Sequence, residues 1–472
     1  MKKFLGFLFL FLFWCTVPVF SQTREFQYFS SLSGFLSYGK NLPFWAVSNR
    51  YGLVPDGRGG LLEAGLFSDF NPKHTFQLAY GISAAAYVSN YDNAVLLDQL
   101  YVSGKWKKLR LDLGMIHREI EYNGISFTNG NIIYSGNART MPGYNLYSDY
   151  ITIPRTNKIL SFKFNWSDYL MPDDRYVRHT RLHNKSLFVK IVPVARLEII
   201  LGLEHWVQWG GTSSRYGKQP SSLKDYIRIV CGKEGGKGAT ESDIINALGN
   251  HLGREHIRIN YRGDEYLISF YHDIPFDDGS GTDFRSFPDG VYALYVGSKE
   301  KKRWISDIIY EFNYTKYQSG RYHNPPGHPE KVSGGNDNYF NNGEYKSGWT
   351  LYGRTIGSPL ITPYAPNAQG ITLGVCNNRI IGHHIGLRGQ AWKKIPYKIM
   401  LTYTLNYGLY IKPLPHSPQK QFSFAVETAL PHLHKLPFQI DMGIYGDVGE
   451  FLPKNIGFSL KLSRKEIIKR KK

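Results

Sequence analysis

The chain has 472 residues, a formal charge of +19, and 34 Tyr, 28 Phe and 9 Trp alongside 48 Gly. Beyond an apolar N-terminal segment, no apolar run approaches the ~18 residues of a spanning helix, which excludes a helical membrane protein. The three cysteines show no CxxC spacing, and no zinc pattern accompanies them.

The N-terminus opens with Lys2-Lys3, runs apolar from Phe4 to Cys15, and exits through Val19-Phe20-Ser21. A basic end, an apolar middle and a small-residue exit predict a secretory signal peptide over residues 1–21. Cys15 lies inside the apolar run without a lipobox, so no lipoprotein is expected. Cys231 and Cys376 survive cleavage and could pair in an oxidising compartment. A basic exported chain could meet anionic lipopolysaccharide, an acidic glycan or nucleic acid, and export argues against the last.

After the leader, segments of alternating polarity recur. The first is near Phe26–Tyr38, followed by a long loop, 39–59. Leu61–Phe70 and Thr75–Ser89 share a tight turn; Ala94–Trp106 and Leu109–Ile116 share another at Lys107-Lys108. A polar insertion over His117–Gly143 precedes Tyr144–Ile153 and Ile159–Ser167. An Arg- and His-rich loop, Asp168–Asn184, leads to Lys185–Val192 and to Arg196–Gly211. In that last stretch Leu197, Ile199, Leu201 and Leu203 fall on one face, and Glu198, Gly202, Glu204, Trp206 and Gln208 on the other. A helix would mix these sets, so the period of two predicts a strand between two environments. The polar loop Trp209–Glu255 predicts helices at Ser221–Val230 and Thr240–Leu248. His256–Arg262, Glu265–Asp273, Val291–Gly297 and Trp304–Lys316 follow, then a very long loop, then Arg379–Gln390 and Lys398–Ile411. In Lys398–Ile411 the face Ile399, Leu401, Tyr403, Leu405 is the cleanest apolar one. It predicts Leu405 towards lipid near mid-membrane and Thr404 towards the lumen. Phe422–Leu430, Phe438–Asp447 and Ile456–Leu462 end the series.

About 18 strands with links alternating long and short predict an all-β fold: a transmembrane antiparallel β-barrel with long extracellular loops and a few short loop helices. A sheet edge left open in lipid would strand its backbone polar groups, so the barrel must close. The expected domains are the barrel over 22–463 and a basic periplasmic tail over 464–472. A monomer in the outer membrane is expected, in contact with its lipid and lipopolysaccharide.

Four motifs carry a family resemblance: Gly202-Leu-Glu-His-Trp-Val-Gln-Trp-Gly-Gly211, Ala247-Leu-Gly-Asn-His-Leu-Gly253, Pro43-Phe-Trp-Ala-Val-Ser-Asn-Arg50 and Phe287-Pro-Asp-Gly290. Their order and spacing resemble the Wzi-type capsule assembly proteins of Gram-negative outer membranes, in the divergent form of Bacteroidetes-like sequences, over nearly all of the mature chain. The resemblance implies an 18-stranded barrel that helps attach exported capsular polysaccharide to the cell surface, as a lectin and not as an enzyme. Enterobacterial members also carry a small helical element on the periplasmic side. No room exists for it before the first strand, and His117–Gly143 is the other place for it.

Sugar rings present apolar faces bordered by hydroxyls, so flat aromatics beside planar polar groups suit them. Candidate polysaccharide contacts are Trp206, Trp209, Arg215 and Tyr216 at one strand mouth and loop, with Trp45 and Arg50 in another loop. Arg175, Arg178 and Arg181 could pair with the carboxylates of an acidic polymer. Catalytic and cofactor readings find little: no G-x-S-x-G elbow is present, and Asp277-Asp278-Gly-Ser-Gly-Thr-Asp283 lacks EF-hand spacing. No metal, cofactor or catalytic residue is expected. The rival readings are a porin or substrate channel and, further off, an outer-membrane hydrolase of lipid or glycan. Inward folding of Trp209–Glu255 and Tyr317–Gly370 would plug the lumen and disfavour the porin.

Overall fold

The computed structural model describes residues 25–469 apart from 237, 241–242, 245–246, 278–285, 323–334 and 431–435. The leader therefore lies outside the described residues, as do most of the Asp277–Asp283 motif and much of the helix expected at Thr240–Leu248. Eighteen long strands form one antiparallel barrel. They are β1 Glu25–Ser37, β2 Gly59–Ser68, β3 Phe76–Ser89, β4 Asn93–Trp106, β5 Leu109–Met115 and β6 Gly143–Ser148, which resumes at Ile151–Thr152. Then come β7 Leu160–Leu170, β8 Arg181–Val194, β9 Leu197–Trp209, β10 Asn250–Arg262, β11 Tyr266–Phe276 and β12 Gly290–Ser298. The circle is completed by β13 Asp307–Tyr314, β14 Ile380–Ala391, β15 Ile395–Asn406, β16 Gln419–Ala429, β17 Gln439–Gly449 and β18 Asn455–Lys469. No helix among the described residues is long and apolar enough to cross a membrane.

β18 pairs with β1 from Ser37↔Gly457 to Glu25↔Lys469, which closes the barrel. This corrects the expected tail: residues 464–469 belong to the last strand. The backbone of β1 offers them partners, and Arg464 and Glu466, exposed and ion-paired with each other, lie on the stretch that continues past the apolar Phe458 and Leu460. Charged side chains are tolerated there because the strand pair has run out of the lipid-facing band into water.

One end of the barrel carries the short turns and both strand termini. The other carries nine loops: L1 (38–58), L2 (90–92), L3 (116–142), L4 (171–180), L5 (210–249), L6 (277–289), L7 (315–379), L8 (407–418) and L9 (450–454). In outer-membrane barrels the short turns are periplasmic. An epitope inserted between Lys107 and Lys108 should therefore be hidden on intact cells. One inserted after Ala368, in the exposed tip of L7, should be stained; antibody labelling before and after permeabilisation checks both. The reverse pattern would invert every outward site below.

The strand faces divide as the period of two requires, with an apolar outer face that includes Leu187, Leu201, Leu203, Ile308 and Ile444, all exposed to the surroundings of the barrel. Such a continuous exposed apolar surface suits lipid rather than water. The inward residues are the buried ones: on β15, Met400, Thr402 and Thr404 are buried while Tyr403 is not. Leu405 does face outwards, but it sits one residue from the loop end of β15, and Leu401 holds the mid-strand position.

The lumen is filled by L1, L3 and L7. Three inward carboxylates on the wall hold L3. Glu311 accepts from Ser126 Oγ (2.7 Å), the Phe127 amide (2.8 Å), Thr128 Oγ1 (3.0 Å) and Tyr271 OH (2.5 Å). Arg254 spans Glu204 (2.7 Å) and Asp273 (2.6 Å) and donates to the Gly130 carbonyl (2.9 Å), while Asn131 donates to Glu204 (2.9 Å). L7 closes over L3, with Trp349 Nε1 donating to the Ile133 carbonyl (2.7 Å) and Ser135 Oγ to that of Gly357 (2.7 Å). L1 joins them through Asn49 Nδ2 to the Phe127 carbonyl (2.8 Å). So L7, one of the two loops whose inward folding would disfavour a porin, does fold inwards, and its partner is L3 rather than L5. The helical turn described in L3, the 3₁₀ turn Tyr122–Gly124, reaches down the lumen to the short-turn end, where Asn123 Nδ2 donates to Asp307 Oδ1 (2.9 Å), so His117–Gly143 does place a single helical turn on the periplasmic side of the plug. Cys231 and Cys376 are both free thiols.

Candidate functional site

Trp206 and Trp209 are three residues apart on one strand and point to opposite faces. Trp206 faces the lumen, donates to Glu204 Oε1 (2.8 Å) and packs edge-on to Trp349. Trp209 faces outwards, where L5 returns to cover it. The turn out of β9 uses Gly210 (φ 65°) and Gly211 (φ 89°), a left-handed pair that residues with a side chain rarely adopt. A Cβ on Gly211 would also stand 2.5 Å from the Arg178 carbonyl of L4.

Past that turn, Ser222 caps a short helix, α1 (Leu223–Val230), in a capping box with Asp225. Its Tyr226 and Ile229 pack on Val207 and Trp209, outside the barrel wall. Lys185 of β8 donates to the Val230 carbonyl, a cation at the helix C-terminus where the dipole favours one.

Strand register assembles the surface beside this helix. Leu170, Arg181 and Trp209 are direct cross-strand neighbours on the outward face; one row in, Tyr144, Asp168, His183 and Val207 are the next. Asp168 accepts from Tyr144 OH (2.6 Å) and Tyr226 OH (2.8 Å) and lies 3.1 Å from His183 Nδ1. Burial, then the hydrogen bond to Asp168, pushes the Tyr226 phenol well above its ordinary pKa, so it remains a neutral donor. The Arg181 guanidinium lies over the Trp209 ring, 4.9 Å from its centre. Between strand ends and helix is a cleft of about 590 Å³ whose walls include Tyr144, Asp168, Arg181, Trp209, Ser222 and Tyr226. Trp209 Nε1 is buried and has no hydrogen-bond partner among the described residues.

Above the cleft, Val177–Arg178 of L4 pairs with Thr212–Ser213 of L5, which pairs with Gly217–Lys218. Arg178, Thr212 and Lys218 share a row and are exposed; Val177 and Ser213 lie on the buried side. Arg215 and Tyr216 occupy the exposed hairpin tip, the guanidinium 5.1 Å from the phenol ring centre. The small sheet is thus a cationic, aromatic outer surface. L5 also meets L7 where Asp243 and Glu344 are buried together. Burial, then the Glu344 charge, pushes the Asp243 carboxyl up to about 7. The folded state therefore holds a proton that an unfolded aspartate has lost, and this contact loses stability as pH rises from about 4 towards 7.

Of the nine residues singled out in the sequence, the structure gathers four at this exposed outer surface: Arg178, Arg181, Arg215 and Tyr216. Trp209 lies beneath them, only 4% exposed, so it supports Arg181 and offers no open ring for a sugar to stack on. Four others are corrected to packing roles. Trp45 is 1% exposed and donates to Thr402 Oγ1 (3.1 Å) in the lumen. Arg50 pairs with Glu427 inside a lumenal cavity near the short-turn end. Trp206 packs against the plug. Arg175 is buried between L4 and L7, bound to Asp173 (3.1 Å) and the Thr350 and Gly348 carbonyls (both 3.4 Å). Tyr144, Asp168 and Tyr226 were missed. Asp168 carried a signal, because it ends an alternating strand on the same parity as the apolar Phe164 and Trp166.

A family profile described as capsule assembly protein Wzi matches residues 54–378. No curated protein matches the chain by sequence. Among solved structures, the chain is similar to Wzi of Escherichia coli, described as a carbohydrate-binding β-barrel of the outer membrane involved in group 1 capsule assembly. The identity is 14% and the TM-score 0.55, over 94% of this chain and 84% of that one. It is also similar to OccK3 of Pseudomonas aeruginosa, at 8% identity and a TM-score of 0.48 over 95% and 99% of the two chains. OccD3 of the same organism gives 9% and 0.48 over 94% and 91%. The structural likeness establishes an outer-membrane barrel fold, and the profile, which spans more than half of the sequence, shows that this chain belongs to the capsule assembly protein Wzi family.

Proposed function

We propose that this barrel binds exported capsular polysaccharide at its outer surface and helps hold the capsule on the cell, as a lectin without turnover. The observation that carries the reading is the continuous exposed surface from the Arg181 cleft to the L4–L5 sheet. There Arg178, Arg181, Arg215 and Lys218 stand beside Tyr144 and Tyr216. Arginine forks suit the carboxylates of an acidic polymer, and tyrosine rings suit the apolar faces of its sugars. Membership of a capsule assembly family and the carbohydrate binding described for Escherichia coli Wzi agree with this. The porin reading is disfavoured by L3 and L7, which pack the lumen with buried side chains.

The test is capsule retention by cells carrying Arg178→Ala/Arg181→Ala/Arg215→Ala in place of the wild type. A hydrogen bond to a charged group is worth roughly 1.5–3 kcal/mol, so the triple variant should shed most polymer into the medium while folding normally. With an acidic polymer the loss should grow at low salt, where long-range attraction in the wild type is strongest. Full retention by a correctly folded triple variant would reject this surface as the binding site.

A further inference from the structure

The helix of L5 lies outside the barrel, and two of its apolar side chains have no cover. Leu223 is 76% exposed and Ile227 56% exposed, and their i,i+4 spacing puts them on one face. The adjoining face, Tyr226 and Ile229, is already packed on Val207 and Trp209. The bare face adjoins the lipid-facing wall. Leu187 and Leu203, exposed cross-strand neighbours, lie two rows below His183 and Val207, which the helix covers. Leu170 and Leu223, both more than half exposed, line the same cleft as Arg181 and Asp168. The wall row between these leucines and His183, formed by Trp166, Lys185 and His205, is mixed, with Lys185 held by the Val230 carbonyl. The apolar path from the barrel's lipid-facing surface to the polar cleft therefore runs by the bare helix face. Arg181 stands at the head of that path, and Arg178 and Lys218 are exposed on the sheet above.

We propose that the L5 helix rests Leu223 and Ile227 in the outer leaflet and that the cleft takes the membrane-proximal, anionic sugars of lipopolysaccharide. Acyl chains would lie against the Leu170–Leu187–Leu203 wall, and the phosphorylated sugar would meet Arg181. The occupant is argued from continuity with the lipid-facing band and from charge: apolar contacts below, cations above, in the arrangement of an acylated, anionic saccharide. The inference rests on the glycan-binding reading of the same cleft. It adds that this cleft reads a lipid-anchored glycan, so that a polymer on the upper sheet would be held beside the lipid-borne sugars.

The test compares two probes on the full barrel in one detergent: rough lipopolysaccharide and the oligosaccharide left after its complete deacylation. The wild type is set against Leu223→Gln/Ile227→Gln; both sites are exposed, and heat-modifiable migration checks folding. Because both proteins sit in the same micelles, partitioning of the lipid cancels between them. The wild type should prefer the acylated probe at least tenfold more strongly than the variant does, with the deacylated probe binding both within about twofold. Arg181→Ala should weaken both probes. Equal preference in wild type and variant overturns the lipid-anchored reading and leaves glycan binding standing. Failure of the wild type to bind either probe overturns the lipopolysaccharide assignment, whereas the capsule reading fails if polymer retention survives the triple arginine substitution.

Discussion

Replacing Arg254 with leucine should destabilise the barrel by roughly 3–5 kcal/mol, the scale for removing one partner of a buried ion pair. The large value follows from what remains. Glu204 and Asp273 are nearly or fully buried, both lean on the guanidinium, and the Gly130 carbonyl of L3 loses its donor as well. Two carboxylates would then face the plug without their guanidinium, Glu204 held by Trp206 and Asn131 and Asp273 by His256. The cheapest relief is for water to enter as L3 lifts from the wall. The wild type should be silent in planar bilayers, whereas Arg254→Leu should open in bursts and unfold at lower urea. A variant with the wild-type midpoint and no conductance would show that this network does not hold the plug.

The second large effect lies on the lipid face. Leu401→Arg should cost about 2–4 kcal/mol on folding into vesicles, the scale for a cation at the bilayer midplane of a barrel. Leu401 is mid-strand, with Ile385 and Phe424 as cross-strand neighbours on the same outward face. Gln439→Arg, exposed at the short-turn end, should stay within about 0.5 kcal/mol of wild type. Equal folding of the two variants would break the assigned register. A lumenal substitution is no benign control here. Thr404 points inwards as its parity requires, but it is buried and accepts from Asn406 Nδ2, so an arginine there would meet packed side chains instead of water.

These particulars mark how far the sequence reaches. Strand parity was legible because a period of two is a local property, and it already set Glu204 and Trp206 against Leu201 and Leu203. Applied three residues further, it also separates Trp209 from Trp206, although the two had been grouped at one mouth. The capped helix was legible from Ser222 and Asp225, but its place outside the wall was not. That place depends on Tyr226 meeting Asp168 and on Lys185 meeting Val230, contacts between segments about 40 to 60 residues apart. Whether the lumen is plugged was open in the sequence, with L5 and L7 as the candidate loops, and L3 was missed. Its partners are wall carboxylates whose inward direction is readable, while the amides and hydroxyls that reach them are not. The basic end was read as a free tail because charge masks strand character; its pairing with β1 follows from closure. Arg175 shows the same limit from the other side, since an arginine among arginines looks solvated until its carbonyl partners are seen.

The central claim is that this is a closed barrel with a polysaccharide-binding outer surface. The most direct measurement is equilibrium binding of purified capsular polysaccharide to the barrel in nanodiscs, with and without the three arginine substitutions. The account predicts saturable binding by the wild type that the Arg178, Arg181 and Arg215 substitutions weaken by tenfold or more, equivalent to at least about 1.4 kcal/mol. Absence of polymer binding by the folded wild type would contradict it.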